Sequence, residues 1–242
     1  MKRVLLEPAY VLHRRSYRET SCLVELFTRE HGRMTVVAKG VNKPRSGLQG
    51  LLQPFVSLLV SFAGKGELMS LTAVEVNGMP GKLQGDCLFA GFYLNELLMC
   101  LLQKWDAHQG LFACYEKTLS FLQGAYLDER VLRSFEKYLL EELGYGLLPR
   151  SEAALLDAFS MGKWYRFIPE CGFLPVDGDT GRARAFGNIF SGKNLIAIGR
   201  EDWNDESLFD AKRLIRLMLT PLLGARNIHS RRLFMQIEEE GK

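Results

Sequence analysis

The stretch that decides the fold is Ser21-Cys22-Leu23-Val24-Glu25-Leu26-Phe27-Thr28, then Arg29-Glu30-His31-Gly32, then Arg33-Met34-Thr35-Val36-Val37-Ala38-Lys39. Two short apolar runs are joined by four polar residues ending in glycine, which reads as strand, turn, strand. Working outward, Pro8 to His13 is another apolar run, closed by Arg14, Arg15 and Ser16. After Lys39 comes Gly40-Val41-Asn42-Lys43-Pro44-Arg45-Ser46-Gly47, a loop by its Gly, Pro and Asn content. Pro54 to Phe62 is β-rich, Gly64-Lys65-Gly66 is a turn, and Leu68 to Val76 is a further strand. About five short strands with regular turns predict a small barrel. The five-stranded barrel of this size is the OB-fold, which commonly holds nucleic acid.

The character changes at Asn77-Gly78-Met79-Pro80-Gly81, so the expected organisation is an OB-fold domain over 1–79 and a mainly helical domain over 80–242. The fold class is α+β. Leu88 to Lys104 is apolar almost all round and predicts a central buried helix. Leu111 to Leu122 is amphipathic. Leu127 to Leu143 carries Asp128 and Glu129 in its first turn and Gly144 as a stop. Residues 146–200 are rich in glycine and read as an irregular subdomain. Leu208 to Leu219 is helical again, with Pro221 and Gly224 expected to break it, and Ser230 to Ile237 is a candidate last turn.

Charge is distributed unevenly. The net charge is +3, yet residues 1–80 hold 11 Lys and Arg against 6 Asp and Glu, a local +5. Such a module attracts polyanions, because fixed cations release counterions from phosphates. Arg14, Arg15 and Arg18 flank Tyr17 in one connection, Arg33 and Lys39 bracket a strand, and Lys43 and Arg45 follow in the loop. Cations beside an aromatic ring suit a groove that tracks a backbone while a base stacks. A solvated barrel surface explains the same residues equally well. A second basic set, Lys212, Arg213 and Arg216 with Arg226, Arg231 and Arg232, lies in a stretch free of acids from Ala211 to Ile237. The first three are spaced to share a helix face.

Catalytic chemistry finds little support. His13, His31, His108 and His229 sit in unrelated contexts, and no GxSxG elbow occurs. Gly187-Asn188-Ile189-Phe190-Ser191-Gly192-Lys193-Asn194 matches a phosphate-binding loop for seven positions. The eighth must be Ser or Thr to hold magnesium, and here it is Asn194. A loop capping a short helix near Asn194 is the expectation. Cys22, Cys87, Cys100, Cys114 and Cys171 are scattered, with no CxxC pair. That fits buried thiols in a reducing compartment rather than a metal site. With three apolar residues after Lys2 and Arg3, no secretory signal opens the chain, and the cytoplasm is the expected location.

These residues resemble a known family. His13 to Ser21 (HRRSYRETS), Leu26-Phe27-Thr28, Gly32-Arg33, Val37-Ala38-Lys39-Gly40 and Leu48 to Phe55 (LQGLLQPF) resemble the opening of the bacterial DNA repair protein RecO family. Tyr93 to Leu98 (YLNELL), Leu132 to Glu136 (LRSFE) and Leu143 to Gly146 (LGYG) continue the likeness in order. The resemblance implies a non-enzymatic recombination mediator without cofactor, monomeric alone and associated with the nucleoid. It implies binding of single- and double-stranded DNA, strand annealing, and cooperation with RecR. It further implies contact with the acidic C-terminal tail of single-strand binding protein (SSB), so that RecA is loaded indirectly. Arg14, Arg15, Arg18, Arg33, Lys39, Lys43 and Arg45, with Lys212, Arg213 and Arg216, are the DNA-binding candidates. Arg133 is the candidate cation for the tail, with Leu97, Leu101 and Phe135 as apolar walls. The competing role for Arg133 is pairing with Glu129 or Glu136 on its own helix. Many members carry two CxxC pairs after LGYG and bind zinc. This chain keeps only Cys171 there, so a zinc-less variant is expected, held by contacts such as those of Trp164, Phe167 and Phe173. The alternative function is a protein-docking adaptor with only nonspecific polyanion binding.

Overall fold

The computed structural model describes residues 2–41, 47–78, 81–124, 126–146, 148–149, 151–169, 171–176 and 187–230. Five strands, β1 (Lys2–Tyr17), β2 (Ser21–Thr28), β3 (Gly32–Ala38), β4 (Leu58–Gly64) and β5 (Leu68–Val76), close a barrel in the order β1-β2-β3-β5-β4. Only the β3–β5 pairing is parallel. This is the expected α+β chain with an OB-type barrel at its N-terminus. The hairpin read from Ser21 to Lys39 pairs Cys22 with Ala38 and Thr28 with Gly32. Alternation sends Cys22, Val24, Leu26, Met34, Val36 and Ala38 into the lumen, where Val60, Phe62 and Met69 meet them. A short helix α1 (Leu48–Leu51) precedes β4 where the sequence pattern predicts none.

β1 is far longer than its apolar run, because it serves two partners. Its first half pairs with β4 and its second with β2, and its register shifts between Val4 and Glu7 and again between Val11 and His13. Bulges of this kind bend a strand so that a barrel can close. They also leave carbonyls without a ladder partner. At the second bulge, the buried Asn95 of helix α2 (Gly85–Leu101) donates to the carbonyls of Leu12 at 3.0 Å and Val11 at 3.4 Å. The Tyr115 hydroxyl of α3 (Gln109–Leu122) donates to Asn95 Oδ1 at 2.5 Å. Around this network Tyr10 and Phe27, on the outside of the barrel, stack against Phe112 and Tyr115. The barrel therefore ends at Val76, near the expected boundary at 79, but its compact unit runs on through α3 to Leu127 and takes in Arg226–Ser230. Glu96 binds that returning segment, accepting from Ser230 N at 2.8 Å and its hydroxyl at 2.5 Å.

The second unit, Asp128–Ala225, holds α4 (Glu129–Glu142), α5 (Glu152–Ala158), β6 (Trp164–Ile168), β7 (Gly172–Val176), β8 (Ile189–Ser191), α6 (Gly192–Arg200) and α7 (Asp205–Leu223). The described residues of 146–200, expected to be irregular, contain two helices and an antiparallel sheet ordered β7-β6-β8; residues 177–186 lie outside the described residues. Its core gathers Phe159, Tyr165, Phe167, Phe190, Leu195 and Leu214, and Phe173 packs on Phe159 and Phe167, as expected of the aromatic residues in this stretch. Asp128 caps α4, with its carboxyl held below the ordinary range by the hydrogen bonds from Arg130. Pro221 does not break α7. It sits in the last turn, where the helix runs on to Leu223 before Gly224 takes a positive φ. Ser230 is described as helical, while residues 231–237 of the candidate last turn lie outside the described residues.

Two tests follow from the packing around Asn95. Replacing Asn95 by Leu removes the donor to the buried Leu12 carbonyl and the acceptor of the buried Tyr115 hydroxyl, and should cost about 2–4 kcal/mol of stability in chemical denaturation. Burial also pushes the Tyr10 phenol up to about 12, and the Glu116 carboxylate that accepts its proton at 3.0 Å adds to the effect. The unfolded chain loses this proton near pH 10.0, so stability present below pH 10.0 is lost as the pH rises toward 12. The denaturation midpoint should fall across that window, and less steeply in Tyr10→Phe.

Candidate nucleic-acid interface

Pairing of Tyr17 with Ser21 and of Cys22 with Ala38 brings the β1–β2 turn and the residue after β3 to one end of the barrel. Arg15, Arg18 and Lys39 are all exposed there. Arg18 takes φ 55 in the turn and lays its guanidinium 5.1 Å from the Tyr17 ring centroid, so cation and ring are presented together. No ion pair engages these three cations among the described residues. Lys43 and Arg45 lie outside the described residues.

Two other N-terminal candidates have different employment. Arg14 is half-buried and donates to the carbonyls of Gln49 at 3.0 Å and Leu52 at 3.4 Å, closing the end of α1. Arg33 clamps the segment between α2 and α3 onto β3. Its Nε donates to the Leu102 carbonyl at 3.1 Å, its guanidinium faces Glu25 at 3.5 Å, and its carbonyl accepts from Trp105 N at 2.8 Å. Lys104 strengthens the clamp through Thr35 Oγ1 at 2.7 Å, and Thr35 donates to Glu25 at 2.8 Å. Gly32 belongs to the same contact, since a Cβ there would lie 1.7 Å from the Asp106 carbonyl oxygen.

Of the second basic set, Lys212, Arg213 and Arg216 lie on α7 and Arg226 lies beyond it, while Arg231 and Arg232 lie outside the described residues. Lys212 meets Glu129 at 3.3 Å with both exposed, a pair of little energetic weight. Arg213 is anchored: it bonds Asp210 at 2.6 Å and the Ile189 carbonyl at 3.2 Å, and lies over the rings of Phe190 and Phe209. Arg216 is exposed. Phe209, which the residue pattern does not single out, is 64% exposed. Arg133, Phe135, Leu97 and Leu101 do not fall in one unit. Arg133 is 7% exposed and pairs with the buried Glu136 at 2.9 Å, while its buried Nε has no acceptor among the described residues. Phe135 is core in the second unit, and Leu97 is fully buried and Leu101 half-buried on α2 of the first.

The near-match to a phosphate loop is closed by its own backbone. Ile189–Ser191 is strand, Ser191 caps α6 by accepting from Asn194 N at 3.1 Å, and the Asn194 amide donates to Asp210 at 2.7 Å. Gly192 is required for packing, because a Cβ there would lie 2.0 Å from the Ser160 carbonyl oxygen.

A closed barrel of this topology, with exposed cations and a ring at its loop end, belongs to a class of nucleic-acid-binding modules. The comparisons define the family. The family model for recombination protein O, N terminal, matches residues 1–79, and that for recombination protein O, C terminal, matches residues 83–232. The chain is 43% identical over 233 residues to the DNA repair protein RecO of Coxiella burnetii (strain RSA 493 / Nine Mile phase I), covering 96% of this chain and 98% of that one. It is 45% identical over 233 residues to that of Methylococcus capsulatus, covering 96% and 93%, and 40% identical over 239 residues to that of Dechloromonas aromatica, covering 96% of each. The chain belongs to the RecO family of DNA repair proteins, which are recombination mediators and not enzymes. No described helix is long and apolar enough to cross a membrane.

The Gly192 contact gives a direct check. Gly192→Ala should destabilise the chain by about 1–3 kcal/mol in thermal or chemical denaturation, as overpacking against backbone does. Lys193→Ala should stay within about 0.5 kcal/mol of the parent.

Proposed function

We propose that the chain binds single- and double-stranded DNA, anneals complementary strands and, with RecR, helps to load RecA on SSB-coated DNA. The observation that carries the reading is the barrel end where Arg15, Arg18 and Lys39 stand exposed around Tyr17 in a chain of this family. Lys43 and Arg45 extend the same basic run in sequence, and Arg216, with Lys212 released from its weak pair, supplies a second set. No nucleotide is consumed in this scheme, since displacement and pairing need only a cationic surface. The expected setting is the cytoplasm, on the nucleoid. Contact with the SSB tail is proposed for Arg133, whose Nε keeps hydrogen-bonding capacity beside the Glu136 pair; the buried Leu97 and Phe135 serve as core, not as walls of that contact.

The test uses the full chain and three ligands. Charge reversal at Arg15, Arg18 and Lys39 should weaken binding of a single-stranded oligonucleotide at least tenfold. It should also flatten the dependence of log affinity on log salt by about 0.7 for each phosphate no longer neutralised. The same variant should retain the SSB tail peptide, whereas Arg133→Ala should retain DNA and lose the peptide. Annealing of SSB-coated complementary strands should proceed without nucleotide. Oligonucleotide binding with no salt dependence, or annealing unaffected by the charge reversal, rejects the mediator reading in favour of a docking adaptor.

A further inference from the structure

At the opposite end of the barrel lies an open groove of about 490 Å³, lined by Lys2, Gly64, Lys65, Gly66, Glu67, Met69 and Trp105. Strand β2 is eight residues long, so at about 3.3 Å per residue the groove lies about 23 Å from the Arg15–Arg18–Lys39 end. Trp105 gives the groove its character. It sits between α2 and α3 with φ 64, held by its own N–H to the Arg33 carbonyl at 2.8 Å and by the close approach of Gly32 to Asp106. One side of the indole meets the His31 ring at 6.4 Å, itself edge-on to Phe62 of the lumen. Over the ring stands the Lys2 ammonium, 5.1 Å from the centroid, and the exposed Lys65 lines the same groove from the β4–β5 turn.

A large ring fixed by backbone at the floor of an open groove, with two ammonium groups on long side chains at its walls, has the requirements of a base-stacking site. A lone basic patch would not need the ring, and Trp105, half-buried against the barrel core, has its ring covered by Lys2 rather than by further apolar side chains. Lys2 can exchange one partner for another: it covers the indole when the groove is empty, and reaches a phosphate when a planar base takes the ring face. The indole N–H is buried without an acceptor among the described residues. Glu67 lowers the local charge excess to one, which favours a site selected by stacking over one selected by charge.

We infer that the Trp105 groove takes one unpaired nucleotide of a DNA single strand, its base stacked on the indole and its phosphates against Lys2 and Lys65. This rests on the DNA-binding reading above but uses none of its residues.

The test uses the full chain with Trp105 as its sole tryptophan, made by Trp164→Phe and Trp203→Phe. A thymidine oligonucleotide should quench the Trp105 fluorescence, and an abasic oligonucleotide of equal length should not. Trp105→Leu should weaken thymidine-oligonucleotide binding about tenfold, within the usual effect of losing one stacked base, and leave abasic binding unchanged. Trp105→Phe, which keeps a ring, should restore most of the affinity. Should Trp105→Leu fail to fold, the fluorescence arm decides alone. Binding of the thymidine oligonucleotide with unaltered fluorescence overturns the groove but not the DNA-binding reading. Absence of any oligonucleotide binding by the parent chain overturns both.

Discussion

The first unit is organised around the β1 bulge, where a buried carbonyl left out of the ladder is met by the Asn95 side chain of α2. β1 bulges between Val11 and His13, where Leu12 is left out of the ladder while Val11 lines the lumen, and the Leu12 carbonyl meets the Asn95 amide at 3.0 Å. A buried carbonyl without a donor costs about 1–3 kcal/mol. Asn95 removes that cost and in doing so fixes where α2 lies and how it is rotated. Tyr115 then completes Asn95 and fixes α3. Apolar contact alone would hold these helices against Tyr10 and Phe27 without choosing a register, since the face of α2 is apolar nearly all round. A polar contact with only one geometrically acceptable position makes that choice, which is why the compact unit extends beyond the barrel to Leu127.

Once α2 is fixed, its end delivers the next segment to the barrel. Leu102 arrives where Arg33 Nε can reach its carbonyl, and Trp105 arrives where its N–H meets the Arg33 carbonyl. Arg33 is therefore a structural cation, and so is Arg14 at the end of α1. Freeing either would leave carbonyls unpaired before any phosphate was gained. Arg213 repeats this in the second unit, bound by Asp210 and by two aromatic rings. Charge counting treats all these residues alike. Hydrogen-bond geometry divides them into cations that hold the fold and cations that stand in solvent.

That division explains what the sequence made legible and what it hid. The turn Arg29–Gly32 and its flanking runs announced the barrel, because alternation, β-branching and a terminal glycine agreed with one another there. Helices α2, α3 and α4 were equally plain from their periodicity. Residues 146–200 were hidden because strands of three to five residues are too short to show a period, and because Gly192 is present for close packing on Ser160, not for a turn. Pro221 misled because proline stops a helix only where its missing N–H and ring matter, and in the last turn little follows. At the barrel end, Arg15, Arg18 and Lys39 were visible in the composition, but nothing in composition told them from Arg14 and Arg33. Trp105 escaped notice although an aromatic residue between Lys104 and Asp106, in a polar link between two helices, is itself a signal.

The electrostatics of the barrel follow from this sorting. The +5 excess of residues 1–80 overstates what a polyanion would meet, because two of its arginines are turned to backbone. Among the described residues, what remains exposed at the β1–β2 end is Arg15, Arg18 and Lys39 beside one ring, a set suited to salt-sensitive attraction. On the proposed function, holding single strands while letting them pair disfavours a deep, strongly cationic cleft. Weak contacts distributed over separate patches release a strand piecewise, whereas a single tight site would hold it. The anchored arginines lower the free charge further: Arg14 and Arg33 build the scaffold with guanidinium groups already bonded to backbone carbonyls.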